Sequence, residues 1–320
     1  MSRSVATALT VVLCGHASTL AAPDAYRDLV AAKDPILWYR MGEPAGSATV
    51  ANDGTLGASH DATIFGGVTL GEPGASGDTA ASFAYSETPY LESAADAPAS
   101  MLGNPDFTAE VVVYIPSDAA TSSWPPFLHW GTGLTAHEVY FSLEQNQRDR
   151  VFCGFYNGGM MGVCTLRLDD WNHIVWVRDS NGAANDAYTG SRLFVNGVEE
   201  SLTRSTHLPN FGYPPDVAAG PFRVQRAVDF YRHFDGVIDE VVLYDTLLTP
   251  AQIGAHFDAL GLTRPCAADL DGNCGVLDLT DVTIFVSGFL SLDPIADLNG
   301  DGLWDLTDVQ LFVVSFLAGC

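Results

Sequence analysis

From about residue 35 to residue 244 the chain is a succession of short apolar runs, rich in Val, Ile, Phe and Tyr, each ended by Gly, Pro, Asn or Asp. β-Branched and aromatic side chains at this density suit a pleated surface covered on at least one side. The clearest runs are 107–115, 139–143, 172–178, 192–195 and 236–244. Between runs stand turn signals such as Asn52-Asp53-Gly54 and Asn196-Gly197. The second of these is specific, because an Asn-Gly pair between two apolar stretches fits a type I′ hairpin, whose central residues both need positive φ. Many short strands with little helical periodicity predict a mainly β chain, a sandwich or jelly roll. One helix is expected over 250–260, with Thr249 as N-cap and Pro250 at the first helical position, where its missing N–H costs nothing.

Charge narrows the partners. Fourteen basic residues stand against 39 acidic ones, a net charge of −25. Such an excess repels a phosphate backbone and excludes nucleic acid as the expected partner. It suits an exported protein that binds divalent cations, although most of these carboxylates need do no more than solvate the surface. Residues 1–22 read as an export signal: Arg3, a short apolar stretch over 5–14, then small residues ending at Ala21 and Ala22. No stretch approaches the roughly 20 apolar residues of a membrane span. The expected location is secreted or cell-surface.

Removal of the signal leaves Cys153, Cys164, Cys266, Cys274 and Cys320. In an oxidising compartment these are expected to pair. Cys153 and Cys164 flank a hairpin-like GFYNGG and are expected to bridge it. Cys266 and Cys320 bracket the last segment, where a bond would staple a unit too small for its own core. Cys274 is then left over, or pairs with Cys266 and leaves Cys320 free.

Four blocks carry a family resemblance. DPILWYRMGE (34–43) resembles the opening strand of laminin-G/concanavalin-A-like domains, and DWNHIVWVR (170–178) their "W-H-H-V-A-V" strand. RLFVNGV (192–198) is similar to their "L-Y-V-D-G" hairpin, and FDGVIDEVVLYD (234–245) with LTPAQI (248–253) to their closing strand and helix. The resemblance implies a concanavalin-A-like β-sandwich over 23–261 that binds glycans or proteins and often carries a structural Ca²⁺. Asp239, on the closing strand among apolar neighbours, is the candidate ligand in this domain, with Asn52 and Asp53 as weaker ones. The alternative is that Asp239 caps a loop through backbone N–H groups. Trp124, Trp130 and Tyr213 lie beside turn-forming residues and are candidate sugar-stacking rings, or loop aromatics folded over the sandwich edge.

Beyond the linker 262–265 an internal repeat begins. Asp278-Leu-Thr-Asp281-Val282 recurs as Asp305-Leu-Thr-Asp308-Val309, 27 residues later, whereas Asp269-Leu-Asp271-Gly-Asn273 recurs as Asp297-Leu-Asn299-Gly-Asp301, 28 residues later. The change of offset places one extra residue in the first copy, at or beside Cys274. The second copy has oxygen ligands at the first, third and fifth positions of an EF-type loop (Asp297, Asn299, Asp301). Gly302 follows for the turn, then Leu303 with its carbonyl, Asp305 and Asp308. The first copy supplies Asp269, Asp271, Asn273, Asp278 and Asp281, with a weaker or irregular site expected. Each loop feeds a helix whose apolar stripe is Val282, Phe285, Val286, Phe289, Leu290 in one copy and Val309, Phe312, Val313, Phe316, Leu317 in the other. Burial of both stripes against each other is expected.

Two such loop–helix units over 266–320 resemble a type I dockerin of the planctomycete kind. The resemblance implies folding coupled to Ca²⁺ and docking through the helix faces, classically onto a cohesin. The loop positions that cellulosomal dockerins fill with Ser-Thr are Leu279-Thr280 and Leu306-Thr307, and basic residues on the helices are absent. Docking onto a cell-surface or other extracellular assembly is therefore expected over a cellulosomal cohesin. Catalysis is not expected. The E-x-D-x-x-E face of sandwich glycosidases is missing, His137-Glu138 lacks the second histidine of a zinc motif, and no G-x-S-x-G elbow is present. A tethered polysaccharide hydrolase or a purely structural surface protein are the rival readings.

Overall fold

A computed structural model of the chain describes residues 24–180, 189–209, 214–228, 232–262, 266–271 and 277–318. The expected export signal, most of the linker, Tyr213, Asn273, Cys274 and Cys320 lie outside these residues.

Among the described residues seventeen strands form two antiparallel sheets. The first half of the chain supplies β1 (Leu37–Tyr39), β2 (Thr49–Val50), β3 (Ala62–Phe65), β4 (Val68–Pro73), β5 (Thr79–Phe83), β6 (Tyr90–Asp96), β7 (Phe107–Tyr114), β8 (Pro126–Gly131) and β9 (Glu138–Leu143). The second half supplies β10 (Val151–Phe155), β11 (Gly158–Gly162), β12 (Trp171–Arg178), β13 (Ser191–Val195), β14 (Val198–Glu200), β15 (Leu202–Pro209), β16 (Pro221–Val224) and β17 (Gly236–Tyr244). An eight-stranded sheet runs β14-β13-β12-β7-β17-β5-β4, with β1 paired to β17. A nine-stranded sheet runs β15-β11-β10-β9-β8-β16-β6-β3-β2. Their inner faces share one core, in which Trp176 packs on Phe107, Phe141 and Phe155.

The expected β-sandwich is thus present, with one layer more than the strand pattern predicts. Helix α1 (Asp24–Ala31), which the sequence reading missed, and α2 (Pro250–Leu260) cover the outer face of the eight-stranded sheet. Tyr26 and Val30 of α1 join Ile253 and Leu260 of α2 over Val112, Val175 and Val242. Covering on both faces is why β7, β12 and β17 read as nearly unbroken apolar runs instead of alternating. Helix α2 has its expected limits, with Thr249 and Gln252 closing a capping box. The Asn196-Gly197 turn has φ of 51° and 79°, as a type I′ turn demands. A Cβ at Gly197 would also lie 2.9 Å from Phe257, so this glycine serves both the turn and the seating of α2.

One buried carboxylate ties the two helices to the sheet. Glu110 of β7 accepts from Tyr26 Oη (2.8 Å), Tyr244 Oη (3.3 Å), His173 Nε2 (2.8 Å) and His256 Nδ1 (3.1 Å). Burial alone would raise its pKa, but His256 and His173 outweigh burial and hold it well below the ordinary carboxylate range.

The C-terminal part holds α3 (Leu279–Ser291) and α4 (Leu306–Ala318), joined through a short 3₁₀ turn, Pro294–Ala296. Phe285 and Phe312 stack face to face at 4.2 Å, and Val282, Phe289, Val309 and Phe316 pack around them. Only this part of each expected stripe is covered. Val286, Leu290, Val313 and Leu317 are exposed, Leu290 and Leu317 by 79% and 81%. Two helices facing each other bury one narrow seam apiece, and the described residues supply no third layer for the rest.

The expected Cys153–Cys164 bridge is not formed: Cys153 is a free thiol buried in the core. The hairpin itself is there, but its register sets Cys153 opposite Met160. Cys164 lies four residues further on, roughly 13 Å along the chain at about 3.3 Å per residue, beyond a disulfide's span. The Cys266–Cys320 pairing ends on Cys320, outside the described residues.

Candidate functional site

Among the described residues no helix packs on the outer face of the nine-stranded sheet, yet β8, β9 and β10 are buried on both faces, and a small aromatic recess lies there. Strand alternation sends Val139, Phe141 and Leu143 of β9 into the core and Glu138, Tyr140 and Ser142 to the opposite face. Tyr140 and Phe152 form a small separate cluster there with Ala227, Trp124 and Tyr156. Trp124, Tyr140, Phe152, Phe155, Tyr156, Asn157 and Arg232 line a small recess of about 30 Å³. The Arg232 guanidinium lies 5.3 Å from the centre of the Trp124 ring and 5.8 Å from that of Tyr140. Asn157 is held by a hydrogen bond from Nδ2 to Thr135 Oγ1 (2.8 Å). Trp124 Nε1 donates to Glu144 (3.1 Å), which fixes the indole. Tyr140, Phe152 and Phe155 are buried, which leaves half-buried Trp124 and Tyr156, edged by the amide and the guanidinium, to meet a ligand that has an apolar face and hydroxyls around its rim.

Beneath the rings lies a buried polar pair. His129 Nε2 is 2.8 Å from Glu138 Oε2, and Tyr140 Oη donates to Glu138 Oε1 (3.1 Å). Burial lowers the His129 pKa in spite of Glu138, and Arg223 and Arg232 add to the lowering. Glu138 and Glu144 are six residues apart, roughly 20 Å along an extended chain. That is far outside the spacing of a glycosidase pair, about 5 to 9.5 Å.

Of the three rings singled out in the sequence, Trp124 is half-buried and lines the recess. Trp130 is a correction: it is fully buried, donates from Nε1 to Met101 O (3.0 Å) and packs on Phe107 and Phe222, so no ligand reaches it. Its neighbouring turn residues suggested a loop, but β8 carries it into the core. Tyr213 lies outside the described residues. The sequence reading missed Tyr140, Phe152, Tyr156, Asn157 and Arg232. The alternation around Tyr140 was a usable signal, whereas Arg232 comes from a different segment that only folding brings near.

Asp239 is fully buried at the irregularity of β17, between Ile238 and Glu240. Its carboxylate accepts from Ser76 N (2.6 Å) and Ser76 Oγ (3.1 Å), and burial raises its pKa to about 6. These contacts are those of a loop cap. Asn52 and Asp53 do not join it: Asn52 Oδ1 takes the N–H groups of Trp38 and Gly54, and Asp53 pairs with Arg40 at 3.2 Å.

The two acidic loops share one hydrogen-bond frame. Asp281 accepts from the N–H groups of Leu270, Asp271 and Asp278, and Asp308 from those of Leu298, Asn299 and Asp305. The extra residue of the first copy is therefore absorbed between Asp271 and Asp278. In the first loop, oxygens of Asp269, Asp271 and Asp281 lie within 4.8 Å of one another. Ca²⁺–oxygen bonds of about 2.3 to 2.6 Å place ligands across the ion about 5 Å apart, so this trio suits that cation. Without one, three carboxylates this close repel. The second loop, the one expected to bind better, is partly closed on itself. Asn299 Nδ2 donates to Asp301 Oδ2 (2.9 Å) and Gly302 N to Asp297 Oδ2 (2.9 Å). The amide at the third position makes this possible, because Asp271 at the same place has no proton to give. Asp297 Oδ1 is buried without a partner, as a cation ligand would be. Asp305 and Asp278 cap α4 and α3 through Thr307 N and Thr280 N, and hydrogen bonding from the Thr280 side chain and then its N–H lowers the Asp278 pKa. Leu303 is exposed at the loop surface.

The family model described as the concanavalin A-like lectin/glucanases superfamily matches residues 88–254, just over half of the chain. The chain belongs to this superfamily. Domain 4 of AbnA, a GH43 extracellular arabinanase from Geobacillus stearothermophilus, in complex with arabinotriose, is similar in fold. It has a TM-score of 0.50 and 15% identity over 70% of this chain and 98% of that one. A Trypanosoma rangeli sialidase in complex with sialic acid has a TM-score of 0.44 and 14% identity, over 70% of this chain and 32% of its own. The botulinum neurotoxin serotype D binding domain has 0.43 and 10%, over 71% and 52%. No curated protein matches the chain. The superfamily match ends before α3 and α4, and no helix among the described residues is long and apolar enough to cross a membrane.

Proposed function

We propose that the chain is a secreted, calcium-binding recognition protein without catalytic activity, whose sandwich binds carbohydrate and whose C-terminal dockerin-like module docks it to an extracellular or cell-surface assembly. The aromatic recess on the outer side of the nine-stranded sheet carries the first half of this reading. Half-buried Trp124 and Tyr156 stand there beside an amide and a guanidinium, but the nearest carboxylates, Glu138 and Glu144, are too far apart to cleave a glycosidic bond between them. Glu138 is engaged by His129 and Tyr140, and Glu144 by Trp124.

The second half rests on the paired loops. Both present the same carboxylate frame to the first turn of a helix, one gathers three acids within reach of a single ion, and both helices leave apolar faces uncovered. Ca²⁺ would be held by Asp269, Asp271 and Asp281 in the first loop and by Asp297 with its loop partners in the second. The ion would supply the positive charge that lets these acids stand together. A Cys266–Cys320 bond would close the same small unit.

Titration of the full chain with a panel of plant and microbial polysaccharides, with Trp124→Ala as control, tests the first half. Binding that Trp124→Ala weakens is expected, and hydrolysis of the bound polymer or no binding at all would sink it. A tethered hydrolase remains the rival, favoured by nothing in the recess.

A further inference from the structure

Burial takes one cysteine out of the pairing problem. Cys153 is a free thiol inside the sandwich core, closed to an oxidant by its burial and to Cys164 by the hairpin register. Burial also pushes its thiol pKa up, away from the thiolate that exchange requires. With the expected export signal removed, Cys164, Cys266, Cys274 and Cys320 are left. Cys164 and Cys266 are each in disulfide linkage. Every cysteine of this set except Cys164 belongs to residues 266–320, so the partner of Cys164 comes from there. Any pairing of the whole set ties the sandwich to the helical part.

The setting of Cys164 suits such a bond. It is half-buried in the turn that follows β11, and that turn is pinned on several sides. Arg150 Nη1 donates to Val163 O (2.6 Å), Val163 N to Ser201 O (3.1 Å), and Cys164 N to Glu200. Glu200 ends β14, the short strand that starts from the Gly197 turn on which Phe257 of α2 is seated. Cys164 therefore lies within about 30 Å of Leu260, the end of α2, at about 3.3 Å per strand residue and 1.5 Å per helix residue. Residues 261–274 reach roughly 46 Å when extended, so the gap is easily spanned. Cys266 Sγ lies 3.6 Å from Ser315 Oγ of α4, shortly before Cys320, which suits a Cys266–Cys320 bond and leaves Cys274 for Cys164.

We propose that a disulfide from Cys164 to residues 266–320, with Cys274 as the expected partner, braces the sandwich to the C-terminal module in addition to the linker. This rests on the reading that the chain is exported. The bond forms as two thiols pass two protons and two electrons to a protein disulfide of the oxidising compartment, which leaves as a dithiol.

The full chain, exported with its own leader, is tested by counting thiols after denaturation without reductant and by mapping linked peptides. One free thiol, that of Cys153, is expected, together with a Cys164 peptide joined to a peptide from 266–320. Cys164→Ser should raise the count to two and leave Cys266 joined to Cys320. A link from Cys164 to Cys266 or Cys320 upholds the brace and changes only its partner. Three free thiols in the parent chain, with Cys164 among them, overturn the brace and leave the export reading standing. Cys164 joined to a second copy of the chain overturns it as well. A leader left uncut, with every thiol reduced, overturns export and the brace together.

Discussion

The sandwich and the C-terminal helical part of this chain solve the same problem by opposite means. The sandwich covers the eight-stranded sheet on both sides, once with the other sheet and once with α1 and α2. Within those layers it can afford a fully buried Glu110, since four donors surround it. Residues 266–320 contain nine Asp and no Glu, Lys, Arg or His. Their fully buried apolar side chains are Ala268, Phe285, Ala296 and Phe312, and much of the apolar surface of both helices faces solvent. A core that small does not hold a domain without help from an ion, a disulfide or a partner. The difference teaches where to look for dependence on conditions: the sandwich should respond to its own buried groups, the helical part to what it binds.

The comparison is broken most directly by chelation. Removal of Ca²⁺ from the full chain is expected to abolish the helical circular dichroism contributed by α3 and α4 and leave the sandwich's melting transition in place. A single transition that moves as a whole would show that the two parts are not independent.

Next in size, Glu110→Ala should destabilise the sandwich by about 3–5 kcal/mol, because His173 and His256 lose their acceptor inside the protein. Chemical denaturation measures this, and helix content from 266–320 should not change. Glu110 has a lowered pKa, so its contribution is present above the ordinary carboxylate pKa and fades as pH falls below it.

Glu200 has the opposite sign. It is buried at the end of β14, its Oε2 lacks a partner, and burial raises its pKa to about 7 despite help from Cys164 N and Arg150. Its raised pKa means the native state favours the protonated form. Stability is therefore fullest below the ordinary value and declines as pH rises through 7. Glu200→Gln should flatten that decline, by about 3 kcal/mol at about 1.36 kcal/mol per unit. Melting temperatures across pH 4.5–8 would show it, and parallel curves for variant and parent would argue against a buried, protonated Glu200.

Smallest in stability is Trp124→Ala, at about 1 kcal/mol for a half-buried loop ring. A large loss of carbohydrate affinity with a nearly unchanged melting curve would separate binding from folding at the recess.

Much of this was legible in the linear sequence. Strand runs, the Asn196-Gly197 turn, the limits and cap of α2 and the shifted loop repeat depend on interactions within a few residues, and local spacing reports those faithfully. Trp124, singled out for its loop setting, does line the recess. Trp130 was misjudged because the neighbouring turn residues say nothing about which face of β8 its ring takes. Cys153 and Cys164 were paired by proximity in sequence, whereas pairing depends on hairpin register.

What the sequence by itself determined is the set of elements: a β-rich chain of concanavalin-A-like type followed by two acidic loop–helix repeats. Tertiary structure alone decided which faces those elements expose. Helices α1 and α2 close one outer sheet face, the other keeps Trp124, Tyr156 and Phe65 partly exposed, and Leu290 and Leu317, apolar like the buried Phe285, face solvent. Periodicity encodes that a strand or helix has an apolar side. Whether that side is covered depends on how many layers the rest of the chain can bring to it, and that is a property of the packed whole.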